Sequence, residues 1–186
     1  MNEPIRKLFA VVNPPPHALG IDTSVTDLHE ADALLRALAA GLGLPADAYG
    51  CTHLVRDDDG GRPRVALSLA AGSEAVIDDA RTRLTAQGHR VTDGVWDRVG
   101  RAVLYPGAAA LTGTLTVAEL VSRSAIERVQ VLGTADRPDP ATRVVTREFV
   151  RPQWREGELV LAAMPAVGGT LVPFEVPDPA PCCADH

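Results

Sequence analysis

Tyr49-Gly50-Cys51-Thr52-His53-Leu54-Val55-Arg56, then Asp57-Asp58-Asp59-Gly60-Gly61, then Val65-Ala66-Leu67-Ser68-Leu69: these three runs decide how the chain is read. In the last of them Val65, Leu67 and Leu69 alternate with Ala66 and Ser68, the period of two that a half-buried strand needs. The run at 49–56 is strand-like in composition, and the aspartates and glycines between the two are turn chemistry. Glycine supplies positive φ without a steric cost, and aspartate hydrogen-bonds its own backbone. The stretch therefore predicts a β-hairpin. A helical pattern lies on either side of it. From Thr26, an acceptable N-cap, apolar residues recur at Leu28, Ala31, Leu34, Leu35, Leu38 and Leu42, and Gly41, Gly43 and Pro45 close the stripe. Ser73 can cap a second helix with Val76, Ile77, Ala80 and Leu84 on one face and Gly88 at its end. A strand at 8–12, stopped by Pro14-Pro15-Pro16, and another at 90–96 complete the set.

Strand, helix, strand, strand, helix, strand is the split βαβ order of ferredoxin-like domains. The expected fold class is α+β, with a ferredoxin-like βαββαβ N-terminal domain over residues 1–98. A smaller helix-plus-β lobe follows at 99–176, and a proline-rich tail carrying cysteines at 177–186. In the lobe, residues 101–105 and 128–132 read as strands. Thr116-Val117-Ala118-Glu119 has the capping-box form and opens a helix. Strands are expected again at 143–150, 158–163 and 170–176, with Pro152, Pro165 and Pro173 pointing to edge or bulged strands.

Composition excludes several function classes. A chain of 186 residues can bury a normal core without disulfide staples. Its 18 basic against 24 acidic residues give a net charge of -6, and no basic block is present that could neutralise a run of phosphates, so no nucleic-acid partner is expected. Nowhere do about 18 apolar residues follow one another, and the apolar run at the start stops at the prolines without a cleavage site. The chain is therefore read as cytoplasmic, with no membrane partner. Three cysteines, an odd number, fit a reducing compartment. Gly-x-Gly-x-x-Gly after a strand, the phosphate-loop motif, the Gly-x-Ser-x-Gly elbow and His-Glu-x-x-His are all missing, which leaves no nucleotide cofactor motif.

Obvious chemistry is concentrated at the C-terminus. Cys182, Cys183 and His186 follow Pro177, Pro179 and Pro181. Thiolates are soft donors and imidazole an intermediate one, a set suited to Zn, Cu(I) or Hg(II). A vicinal thiol pair on a C-terminal tail resembles the tail of mercuric reductases, which hands a soft metal inward; the likeness covers only those few residues. Cys51 and His53, at i and i+2 on a strand, face the same side and could complete a four-ligand site if the tail folds back. The plainer alternative is that Cys51 is a small core hydrophobe and His53 a hydrogen-bonded neighbour. Arg147 and Arg151, sharing a strand face with Phe149, could present two guanidinium groups to an anionic ligand; otherwise they form ordinary ion pairs with Glu148 or Glu156.

Two functions follow. The first is a soft-metal binding or handling accessory protein built on Cys182, Cys183 and His186, helped by Cys51 and His53. The second is a small enzyme or small-molecule binder with an anionic-ligand cleft between the two parts, using Arg147 and Arg151, with His53 as general base. A homodimer formed through the sheet is a third arrangement open to such a chain.

Overall fold

A computed structural model describes residues 15–56, 63–94 and 100–177. The chain runs β1 (His17–Asp22), α1 (Leu28–Leu42), β2 (Tyr49–Val55), β3 (Arg64–Ala71), α2 (Glu74–Ala86) and β4 (Arg90–Asp93). It continues through β5 (Arg101–Leu104), a 3₁₀ turn at Ala108–Ala110, β6 (Thr114–Thr116), α3 (Val117–Arg123) and β7 (Arg128–Val131). The last strands are β8 (Arg143–Val145), β9 (Gln153–Arg155), β10 (Glu158–Ala166) and β11 (Thr170–Pro173).

These strands form one mixed sheet in the order β4-β1-β3-β2-β5-β9-β10-β11-β8-β6, with β7 pairing β10 in parallel beside that path. The expectation of a ferredoxin-like βαββαβ arrangement is corrected by that order, in which the strands belong to one mixed sheet. A self-contained four-stranded domain would end at β2. Instead the outer backbone groups of β2 are taken up by β5, through Gly50↔Leu104, Cys51↔Ala102 and Thr52↔Arg101, with a break in register between Gly50 and Cys51. Strand β5 passes the sheet on to β9 at Arg101↔Gln153, reinforced by Ala102 N–H to Pro152 O at 2.8 Å and Trp154 N–H to Gly100 O at 3.0 Å. Unpaired edge groups are a liability, and joining the two halves edge to edge removes it.

Local signals placed most elements. Helix α1 begins one residue later than expected: Asp27, not Thr26, is the cap, and its carboxylate accepts from the N–H groups of His29 and Glu30. The helix ends on Gly43 in the left-handed conformation. The Thr116–Glu119 capping box forms with both reciprocal bonds. Other expectations shift. The strand expected at 8–12 lies outside the described residues. The segment after the three prolines, to which no element was assigned from the sequence, is β1, paired to β3 along one edge and β4 along the other. Strand β4 stops at Asp93, and Trp96 lies outside the described residues, as does the turn at 57–61. At Pro165 only β11 is paired to β10, through Pro165↔Leu171, because the β9 and β7 ladders end at Val160 and Ala163, so the proline falls where one side of the strand has no ladder partner among the described residues.

The core has two parts. Leu19, Ile21, Leu35, Leu67, Leu69, Leu84 and Val103 are buried between the sheet and α1 and α2. Tyr49, Leu111, Leu120, Ile126, Trp154, Leu159 and Leu161 fill the second half. Alternation along β5 sends Ala102 to one core and Val103 to the other, while Tyr49 and Cys51 of β2 join Ala102, so β5 serves both. No helix among the described residues is long and apolar enough to cross a membrane.

Candidate ligand site beneath helix α1

Helix α1 carries an acid on its buried stripe. Asp32 lies one residue past Ala31 and three before Leu35, and is only 2% exposed. A carboxylate placed there must be paired, because desolvating an isolated charge costs several kcal/mol. Both partners come from the middle and the second half of the chain. Arg101 Nη1 donates to Asp32 Oδ1, and its Nη2 donates to Oδ2 at 3.3 Å. Arg151 Nε donates to the same Oδ2 at 2.8 Å. One carboxylate thus accepts three N–H bonds from two guanidinium groups.

Neighbouring strands supply the remaining contacts. Thr52 stands directly across from Arg101 in the β2–β5 ladder, and Arg101 Nη1 donates to its hydroxyl at 3.3 Å. Arg101 Nε donates to the carboxylate of Glu175, just past the end of β11. Arg151 Nη1 donates to Val150 O at 3.1 Å, and the same carbonyl accepts from Tyr105 Oη at 3.1 Å. Among the described residues no hydrogen-bond partner faces Arg151 Nη2, although the side chain is only 6% exposed.

Aromatic groups cover the pair. The Phe149 ring lies over the Arg151 guanidinium, with Cζ 4.1 Å from its centroid, and Arg101 Cζ is 5.9 Å from the same centroid. The exposed His29 approaches the ring from the start of α1, with centroids 5.9 Å apart. Phe149 reaches this place through unusual backbone. The strand expected at 143–150 stops at Val145, and Arg147 and Glu148 both take left-handed conformations, with φ of 52° and 56°. For non-glycine residues each costs roughly 1–2 kcal/mol. Thr146, fully buried, holds the turn by donating its hydroxyl to Gly113 O at 2.8 Å. The turn leaves Arg147 exposed at the rim and Arg151 buried beneath the ring, so the two do not share a strand face as the alternation predicts.

Charge is unevenly balanced here. Burial pulls the Arg101 guanidinium towards its neutral form, but the bonds and charges of Asp32 and Glu175 outweigh this and leave its pKa above the ordinary arginine value. For Arg151 burial prevails, with help from the positive charges of Arg36 and Arg101, and its pKa lies below the ordinary value despite Asp32. Arg151 is therefore the under-compensated cation of the group.

The other expected residues lie elsewhere. Cys51 and His53 are both buried and point to the face of β2 opposite Thr52, so His53 is not brought to Arg151. His53 Nε2 and Ser68 Oγ share a 2.7 Å hydrogen bond. Gly100 lies against both side chains: a Cβ there would come 2.6 Å from His53 Cε1 and 2.9 Å from Cys51 Cβ. Cys182, Cys183 and His186 lie outside the described residues. Among the described residues, no three His, Cys, Asp or Glu side chains are grouped as a metal ion would need.

Asp32, Arg101, Thr52 and Glu175 were not singled out by sequence reasoning. Two signals pointed to Asp32 and Arg101: an acid inside an apolar helical stripe, and an arginine two residues before Val103 on the inward period of a strand. No family model, no curated protein and no solved structure matches this chain.

Proposed function

We propose that the chain binds a small anionic molecule between the start of α1 and the segment 147–152. Phe149 is the apolar wall, Arg151 the charged contact and Arg147 the rim. One observation carries this reading: a nearly buried guanidinium, with donors that no described residue satisfies, lies under a half-buried aromatic ring with exposed residues beside it. A buried donor left unsatisfied costs about 1–3 kcal/mol, which an incoming acceptor recovers. The left-handed pair at Arg147 and Glu148 supports the same reading, since strained backbone persists where the surroundings hold it and is concentrated at ligand sites.

Calorimetric titration with inorganic phosphate and with benzoate tests it. Phe149→Ala should weaken binding about tenfold, the loss expected from removing an aromatic–cation contact and its apolar area. Arg147→Ala should weaken it less, and more so at low salt, as for an exposed charge. Absence of binding by the wild-type chain to either anion refutes the proposal.

A second reading, soft-metal handling by Cys182, Cys183 and His186, draws support from Cys51 and His53 lying side by side on one face of β2. Zn and Cu(I) titrations of the full chain and of a truncation ending at Ala180 test that reading. Stoichiometric metal, lost on truncation and reduced by Cys51→Ala, is the expected result; metal retained by the truncated chain refutes it.

A further inference from the structure

Within the charged group the two acids differ in position. Asp32 is sealed under α1, with a side chain 3% exposed, and bonds both arginines. Glu175 is 23% exposed and holds only the Nε edge of Arg101. The Nη1 and Nη2 groups of Arg101 are already engaged by Asp32 and Thr52. Glu175 therefore covers the one edge of Arg101 that another acid could take, and it does so from a short stretch beyond β11 whose exit is marked by Phe174 N–H bonded to Ala162 O at 2.9 Å. Phe174 itself is 52% exposed, so this stretch has little apolar anchorage.

We infer that Glu175 is an internal stand-in for the ligand, and that the ligand is a small carboxylic acid with a flat or apolar body. Its carboxylate replaces that of Glu175 on Arg101 Nε and takes Arg151 as a second donor that Glu175 does not engage, and its body lies against Phe149. The inference rests on the anion-binding reading above and deepens it in two ways. A carboxylate is named because a carboxylate already occupies the position, and guanidinium and carboxylate match in planar geometry. Binding is also made to compete with the residues that follow β11, since the ligand gains only the difference between its own contacts and those of Glu175.

The test compares wild-type protein with Glu175→Ala and Glu175→Gln, using benzoate and inorganic phosphate as probes. Folding of each variant is checked by thermal melting before titration. Glu175→Ala should bind benzoate at least tenfold more tightly than wild type, with Glu175→Gln between them because its amide oxygen still accepts from Arg101. In wild-type protein, benzoate should speed hydrogen exchange at the Phe174 amide. Equal benzoate affinity in wild type and Glu175→Ala overturns the stand-in role while leaving the anion site intact. Binding of phosphate but not benzoate overturns the carboxylate class. Binding of neither probe to the wild-type chain removes the site and the inference together.

Discussion

Replacing Asp32 with asparagine probes the centre of the buried network at nearly constant volume. In the folded protein its two oxygens accept from Arg101 Nη1, Arg101 Nη2 and Arg151 Nε. Asparagine keeps one acceptor and turns an NH₂ group towards guanidinium donors, so at least one bond becomes a donor–donor clash. Charge matters more. Arg101 keeps Glu175, but Arg151 loses the one carboxylate it pairs with among the described residues. Leaving one buried ion without its partner costs about 3–5 kcal/mol, set against a total stability on the order of 5–15 kcal/mol for a domain. Urea denaturation of the variant should show that loss in the midpoint, and roughly 1 M salt should not restore it, because buried charges are poorly screened. Arg151→Met added to Asp32→Asn should recover much of the stability, since the stranded cation is gone and an apolar chain of similar length lies under Phe149. A loss below about 1 kcal/mol, the size of an exposed pair, would refute the claim that Asp32 is a buried keystone for both arginines.

Other expectations are equally direct. The chain has two tyrosines, and burial raises both phenols: Tyr49, also affected by Glu127, to about 12, and Tyr105 well above its ordinary value. The folded state then keeps protons that the unfolded state, with a phenol pKa of about 10, has lost. For Tyr49 this stability is fully present below about pH 10 and is lost as pH rises towards about 12; a near-ultraviolet phenolate titration should show no folded-state step near the ordinary value, and such a step would refute the burial of that ring. Gly107 has a φ of 81°, and a Cβ there would lie 2.1 Å from Arg123 O. Gly107→Ala should therefore combine the left-handed cost of roughly 1–2 kcal/mol with an overpacking cost of roughly 1–3 kcal/mol. Gly113→Ala, at a φ of 64° with open space around it, should show only the first, and equal thermal shifts in the two variants would contradict the close approach at Gly107.

What the sequence determined by itself was local. The α1 stripe from Leu28 to Leu42, the alternation Val65-Leu67-Leu69 and the Thr116–Glu119 capping box are each set by neighbours within a few positions, and each forms where those neighbours place it. β1 was hidden because His17-Ala18-Leu19-Gly20-Ile21 has weak strand propensity; pairing with β3 and β4 on its two edges makes it a strand. The joining of β2 to β5, which overturns the ferredoxin-like reading, likewise depends on two segments some fifty positions apart meeting edge to edge, and no local period encodes such a meeting. The candidate site is of the same kind. Arg151 was visible as a cation, but its partner Asp32 lies 119 positions away, and the left-handed turn at Arg147 and Glu148 that swings Phe149 over it cancels the alternation a strand would have imposed. Hydrophobic period tells which face of an element is buried; which charged residues meet beneath that face is decided only when the elements pack.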